Sequence, residues 1–132
     1  MHIDHIGIAV KNLEKAIETY ESLLDTECYK REIVDSQQVD TAFFRTGESK
    51  VELLGAAGEN SVIKKYVDNH GEGMHHVAFE VEDIHKEMDR LREEGFRLLS
   101  EEPVEGADNK LVAFVHPKDN NGVLVELCQS KS

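Results

Sequence analysis

The sequence contains an internal repeat, and this repeat limits the fold more than any other feature. An offset of 71 aligns residues 2–10 with residues 73–81, so that His5 falls on His76. The alignment continues through a helix cap and one helix face, where these pairs coincide: Val10 and Val81, Asn12 and Asp83, Leu13 and Ile84, Ile17 and Met88, Tyr20 and Leu91. One supersecondary unit written twice predicts two modules of the same fold.

Hydrophobic periodicity predicts the order β-α-β-β-β in each half of the chain. In the first half, a helix is expected at about 12–24, and strands are expected at 2–10, 28–34, 39–45 and 50–54. In the second half, a helix is expected from Ile84 to a stop at Gly95, and strands are expected at 74–81, 96–99, 111–115 and 123–128. Between the halves, the pattern indicates a connector with a short helix at about 58–72; the polar stretch 101–109 indicates a loop.

These elements predict an α+β fold in a single domain of 132 residues. The two tandem βαβββ modules, at about 1–57 and about 73–132, are expected to form an open, eight-stranded, barrel-like sheet around a cleft. Within each module, strands joined by short turns are expected to pair antiparallel, and the helix is expected to cover one face of the sheet.

The composition excludes several classes of partner. A formal net charge of −12 disfavours nucleic acid and anionic membrane surfaces. No apolar run approaches the roughly 18 residues needed to span a bilayer, and no signal peptide is recognisable before the first strand. Because Cys28 and Cys128 are too few for a disulfide framework, we expect a reducing, cytoplasmic location. An anionic small ligand stays compatible with this charge, since a bound metal can outweigh the distant field.

A second repeat lies in the last strand of each half. Residues 51–54 match residues 125–128, with Glu52 opposite Glu126. Side chains alternate along a strand, so the apolar neighbours of each glutamate face the opposite side of the sheet. An ionised glutamate on a half-buried strand is costly unless it is paired or binds a metal. Each module is therefore expected to present one histidine and one glutamate to a common centre.

Two imidazoles and two carboxylates form a nitrogen and oxygen donor set that suits Zn²⁺, Co²⁺, Ni²⁺, Mn²⁺ or Fe²⁺. The candidate ligands are His5, Glu52, His76 and Glu126. In octahedral geometry, four protein ligands leave two adjacent positions for water or substrate, whereas a closed tetrahedral zinc site leaves none. His75 is expected on the other face of its strand, with a structural role.

Several motifs, taken together, resemble the vicinal oxygen chelate superfamily and, within it, the methylmalonyl-CoA epimerase family. The motifs are residues 3–10, 51–54, 71–81 and 116–118 followed by 122–127. This resemblance implies that the four candidate ligands bind one divalent metal ion. It implies Co²⁺ in the first place, with Zn²⁺, Ni²⁺ and Mn²⁺ as alternatives.

The resemblance also implies a reaction, the interconversion of the two C2 epimers of methylmalonyl-CoA through a metal-stabilised enolate. Glu126 is expected to be one base, and Glu52 is either the other base or a ligand only. Some family members carry a further glutamate on the third strand; the matching residue here is Thr41, with Asp40 next to it on the opposite face. Lys118 is expected to bind a phosphate of coenzyme A. By analogy with the fold, the chain is expected to form a homodimer.

Three other functions on this fold stay open. A glyoxalase-I-type isomerase, which acts on hemithioacetals, uses the same enediolate chemistry and a similar metal set. A dioxygenase of the superfamily needs two histidines but only one carboxylate, so the second glutamate argues against it. A drug-binding protein of the bleomycin-resistance type is lined by aromatic residues and needs no metal. This chain has no Trp and retains both His–Glu pairs.

Overall fold

The computed structural model describes residues 1–131 and contains eight strands and three helices within them. The elements of the first half are β1 (His2–Ala9), α1 (Leu13–Leu24), β2 (Lys30–Val34), β3 (Val39–Thr46), β4 (Ser49–Ala56) and α2 (Val62–His70). Those of the second half are β5 (Gly73–Glu80), α3 (Ile84–Glu93), β6 (Val104–Gly106), β7 (Lys110–Val115) and β8 (Val125–Ser130). None of these helices is long and apolar enough to span a bilayer.

The chain divides into two compact units. The first unit comprises residues 5–75, and the second comprises residues 1–4 together with the chain from His76 onward. Each unit contains four strands, with a helix between its first and second strands. The predicted α+β class and the βαβββ pattern are therefore confirmed. The predicted module boundaries, at about 57 and 73, stay a prediction.

The first unit is a four-stranded mixed sheet in the order β2-β3-β4-β1. A hairpin joins β3 to β4, with Thr46 opposite Ser49, and β4 pairs with β1 in parallel. One face packs against α1, because its apolar side chains match the apolar stripe of the helix. The buried residues of this core are Val10, Leu13, Ala42, Phe44 and Leu53.

The opposite face of the first unit is partly covered by α2. The Ser61 hydroxyl accepts a hydrogen bond from the backbone N–H of Ile63, at 3.1 Å, and starts this helix. Ile63 and Val67 then pack against a small apolar group formed by Ala9, Val39 and Leu54. The helix therefore covers one end of the face that carries the polar candidate residues.

The second unit has the sheet order β5-β8-β7-β6, with β5 and β8 parallel and the other neighbours antiparallel. Its core lies between α3 and the face that carries Val81, Ala113 and Leu127. Asn12 caps α1 and Asp83 caps α3 in the same way, each side chain accepting a backbone N–H at 3.1 Å. The repeat seen in the sequence is thus also a repeat of local geometry.

One predicted strand is wrong. Residues 96–99 form only a single bridge, Leu98 to Val115, and the strand lies instead at Val104–Gly106, within the predicted loop 101–109. β7 runs antiparallel to both segments: its end at Val115 meets Leu98, and its start pairs with β6. A Cβ on Gly106 would lie 2.9 Å from a methyl group of Val112, so glycine permits the close approach of this short edge strand.

Candidate active site

The first unit brings His5 and Glu52 into contact. Nδ1 of His5 lies 3.2 Å from Oε2 of Glu52, and both residues are about 4% exposed. His5 is on β1 and Glu52 on β4; the parallel register places Lys50 beside His5 and Gly7 beside Glu52. The contact therefore runs diagonally across two neighbouring strands. Burial of this pair indicates a function beyond surface charge, because an unpaired buried carboxylate is strongly disfavoured.

The second unit brings together His76 and Glu126 in the equivalent way. Nε2 of His76 lies 3.2 Å from Oε1 of Glu126, and both side chains are buried. Glu126 is paired with Ala78 on β5, two residues beyond His76 on the same face. Each unit therefore presents one buried histidine and one buried glutamate on the same face of its sheet. That the two pairs share one metal centre stays a prediction.

A phenylalanine accompanies each glutamate, which the sequence analysis missed. Phe43 lies opposite Glu52 on β3, and Phe114 lies opposite Glu126 on β7. The ring of Phe114 meets the imidazole of His76 edge to face, with centroids 5.9 Å apart. The offset between the two phenylalanines is 71, the same as between the two histidines, and this signal could have found them.

Another carboxylate cluster, in the second unit, is neutralised by a lysine. Carboxylate and imidazole atoms of His2, Asp4 and Glu80 lie within 4.8 Å of one another. The ammonium of Lys110 lies 3.1 Å from Asp4 and 3.3 Å from Glu80, and its side chain is 8% exposed. This ammonium already supplies the positive charge that a metal would bring, so the cluster is better explained as a buried ion-pair network.

The remaining chemically active side chains near these strands have structural roles. The half-buried His75 ring packs edge-on against Tyr66, at 4.7 Å between centroids, which agrees with the structural role expected for it. Burial raises the pKa of the Cys128 thiol, which keeps it protonated and unreactive. Cys128 therefore fills space beside Glu126 and is not a nucleophile.

Lys118 lies on a short 3₁₀ turn, Pro117–Asp119, and is exposed. His116 caps this turn by accepting the N–H of Lys118, at 3.2 Å. The turn is held to Arg97, whose guanidinium donates to both carboxylate oxygens of Asp119 at 3.0 and 3.1 Å. Its backbone is therefore well defined.

The residues present fit a divalent cation by their chemistry. Each unit offers a buried imidazole nitrogen and a buried carboxylate oxygen, which are donors typical of Co²⁺, Zn²⁺, Ni²⁺ and Mn²⁺ sites. In each pair the carboxylate already contacts the imidazole, which fixes the orientation of the ring.

Known proteins resemble this chain over nearly its whole length. Residues 4–114 match the model of the Glyoxalase/Bleomycin resistance protein/Dioxygenase superfamily. An ethylmalonyl-CoA/methylmalonyl-CoA epimerase of Cereibacter sphaeroides is 43% identical over an alignment of 129 residues, and the alignment covers 96% of this chain and 96% of that protein.

Two solved structures extend the comparison. The methylmalonyl-CoA epimerase of Mycobacterium tuberculosis has a TM-score of 0.93 at 36% identity, covering 99% of this chain and 89% of its own. A methylmalonyl-CoA epimerase in complex with methylmalonyl-CoA and NH4+ has a TM-score of 0.93 at 35% identity, covering 99% of this chain and 95% of its own. The chain thus belongs to the methylmalonyl-CoA epimerase family of the glyoxalase/bleomycin resistance protein/dioxygenase superfamily, as its repeated motifs predicted.

Proposed function

We propose that this protein is a methylmalonyl-CoA epimerase, an isomerase that inverts the configuration at C2 of the thioester. The observation that carries the proposal is the duplicated buried His–Glu contact, at 3.2 Å in each unit. Its relatives named for this activity support the choice of substrate, and one related epimerase was solved with methylmalonyl-CoA bound.

The proposed metal ligands are His5, Glu52, His76 and Glu126. When bound, a divalent cation would supply a Lewis acid that stabilises negative charge developing on the oxygen atoms that flank C2. Co²⁺ is the first candidate by family resemblance, and Zn²⁺, Ni²⁺ and Mn²⁺ suit the same donors. The contact of each glutamate with its histidine would hold the donor atoms in place before the substrate arrives.

Glu126 is proposed as one acid/base. The proton at C2 lies between a thioester carbonyl and a carboxylate, so its removal gives a delocalised anion and a buried carboxylate can accept it. A positioned general base contributes typically about 10²–10⁴-fold to a rate. Inversion requires a second group to deliver a proton to the opposite face of C2, and Glu52 is the candidate from the sequence.

Lys118 is proposed to bind a phosphate of coenzyme A. Lys118 is exposed in the middle of a turn that the Arg97–Asp119 ion pair holds in place. Replacement by Ala is expected to raise KM for the thioester and leave kcat unchanged, because the contact is remote from C2. The homodimer and the cytoplasmic location stay predictions.

Solvent isotope exchange tests the function directly. The metal-loaded protein is incubated in D2O with one epimer of methylmalonyl-CoA, and NMR follows deuterium at C2 and the appearance of the other epimer. We expect rapid exchange and epimerisation, both abolished by a chelator and restored by added Co²⁺. A metal-loaded protein that exchanges neither epimer, but isomerises the hemithioacetal of glutathione and methylglyoxal, would refute the proposal in favour of glyoxalase-I-type activity.

A further inference from the structure

The polar face of the first unit carries a second carboxylate, Glu32. It lies on β2 directly opposite Thr41, and Thr41 in turn lies opposite Leu54 on β4. Cross-strand partners share a face, and Leu54 shares its face with Glu52 two residues away. Among the strand residues of residues 5–75, Glu32 and Glu52 are therefore the two carboxylates on the face opposite α1.

This carboxylate has no counterpart in the second unit. There, the edge strand β6 places Val104 opposite Val112, and Val112 lies opposite Cys128. Histidine, phenylalanine and glutamate are repeated in both units, but the position of Glu32 is occupied by an apolar residue in the repeat. Inversion at C2 needs an acid/base group on each face of the carbon, and these two groups need not be a repeated pair.

The surroundings of Glu32 suit proton transfer better than metal binding. Its side chain is 32% exposed, so its carboxylate can exchange protons with solvent. Lys30 lies 3.5 Å from this carboxylate, and its ammonium also lies over the ring of Phe43, at 5.1 Å from the centroid. Phe43 is the cross-strand neighbour of Glu52. Lys30 and Phe43 therefore link Glu32 to Glu52 through packed side chains on one face of the sheet.

We propose that Glu32 is the second catalytic acid/base of the epimerisation, and that Glu52 acts as a ligand only; this inference rests on the proposed function. In one direction, the Glu126 carboxylate takes the proton from C2, and the C–H electron pair enters the enolate. Protonated Glu32 then delivers its proton to the opposite face of C2, so one C–H bond breaks and another forms. Solvent returns both carboxyl groups to their starting states, and the reverse reaction exchanges their roles.

The test is a stereochemically resolved exchange experiment on Glu32→Gln. Each epimer is incubated separately in D2O with wild type or variant, and both deuterium uptake and epimer composition are followed. We expect interconversion to fall by about 10²-fold or more, in the range typical of a lost acid/base group. Deuterium should still enter the epimer whose proton faces Glu126, with retention of configuration.

Asp40→Asn is the matched control, because Asp40 lies next to Thr41 but on the opposite face, where it pairs with Arg31 at 3.0 Å. It removes the same charge and should leave interconversion unchanged. Metal content and melting temperature of Glu32→Gln should equal those of wild type. The inference is overturned if Glu32→Gln interconverts the epimers within about twofold of wild type, or if it loses exchange from both epimers equally. Wild type that exchanges neither epimer would overturn the proposed function itself, and this inference with it.

Discussion

Nε2 of His76 lies 3.2 Å from Oε1 of Glu126, and this contact joins the first and last strands of the second unit. The two residues meet because β5 and β8 are parallel neighbours. Ala78 is the direct partner of Glu126, and His76 lies two residues before Ala78 on the same face of β5. The contact fixes the imidazole and the carboxylate relative to each other, so each substitution in the pair has a distinct expected effect.

Glu126→Gln and Glu52→Gln are expected to behave differently although both replace a buried carboxylate by an amide. Glu126→Gln should lower kcat by about 10²–10⁴-fold, because the amide cannot accept the C2 proton. Glu52→Gln should retain activity within about tenfold, because its amide oxygen still serves as a ligand, a smaller loss than that of an acid/base group. Steady-state epimerisation at saturating metal measures both. Equal losses in the two variants would contradict this division of roles.

Metal removal is expected to lower thermal stability as well as activity. A ligand that binds only the native state stabilises it by about 2.7 kcal/mol at one hundred times its dissociation constant. The melting temperature should therefore fall on chelation and recover with Co²⁺. His76→Ala should bind no stoichiometric metal by elemental analysis. His85→Ala, which alters an exposed side chain 3.7 Å from Glu102, should bind metal normally.

The pair Arg97 and Asp119 should make stability depend on pH in the acidic range. Hydrogen bonds from the Arg97 side chain and backbone lower the pKa of Asp119 below its ordinary value of 3.8. The pair therefore stabilises the fold fully above that value, and the contribution is lost as the pH falls through the lower, native-state pKa. Asp119→Asn should melt below wild type at pH 7, and the difference in melting temperature should shrink as the pH falls below 3.8. A constant difference across this range would refute the assignment.

Phe44→Ala is expected to destabilise the first unit strongly. Phe44 is fully buried between α1 and the sheet, beside the tilted ring of Tyr20 at 6.4 Å. Loss of a buried phenylalanine ring typically costs about 3–5 kcal/mol, from lost transfer free energy and the cavity left behind. Urea denaturation should show a lower midpoint with an unchanged slope. Leu23→Ala, at a side chain 68% exposed, should leave the midpoint unchanged.

The helices and the faces of the strands could be predicted from the sequence because they depend on local patterns. Asn12 and Asp83 identify the starts of α1 and α3, and alternation correctly places Leu53 and Leu127 in the cores away from the glutamates. The alternation of apolar and polar residues is the same for either strand direction, so it could not predict the parallel pairing of β1 with β4. β6 was missed because three residues beside a proline carry no periodicity.

Candidate residues could be proposed from the sequence where they repeat and could not be proposed where they do not. His5 and His76 were found through their common offset. Lys110 was not, because lysine is ordinarily a surface residue and its partner Asp4 lies at the other end of the chain. The position of Glu32 could not be predicted either, since only the register of β2 against β3 shows which face of the sheet it occupies.

In each unit, the helix that follows the first strand and the His–Glu pair occupy opposite faces of one sheet. A substitution that repacks the apolar side reaches the polar side only through a shared backbone. Substitutions in the apolar core can therefore change stability, and substitutions on the polar face can change reactivity, each with little effect on the other property. A superfamily whose name joins a glyoxalase, a bleomycin resistance protein and a dioxygenase is what such a separation of the two faces permits.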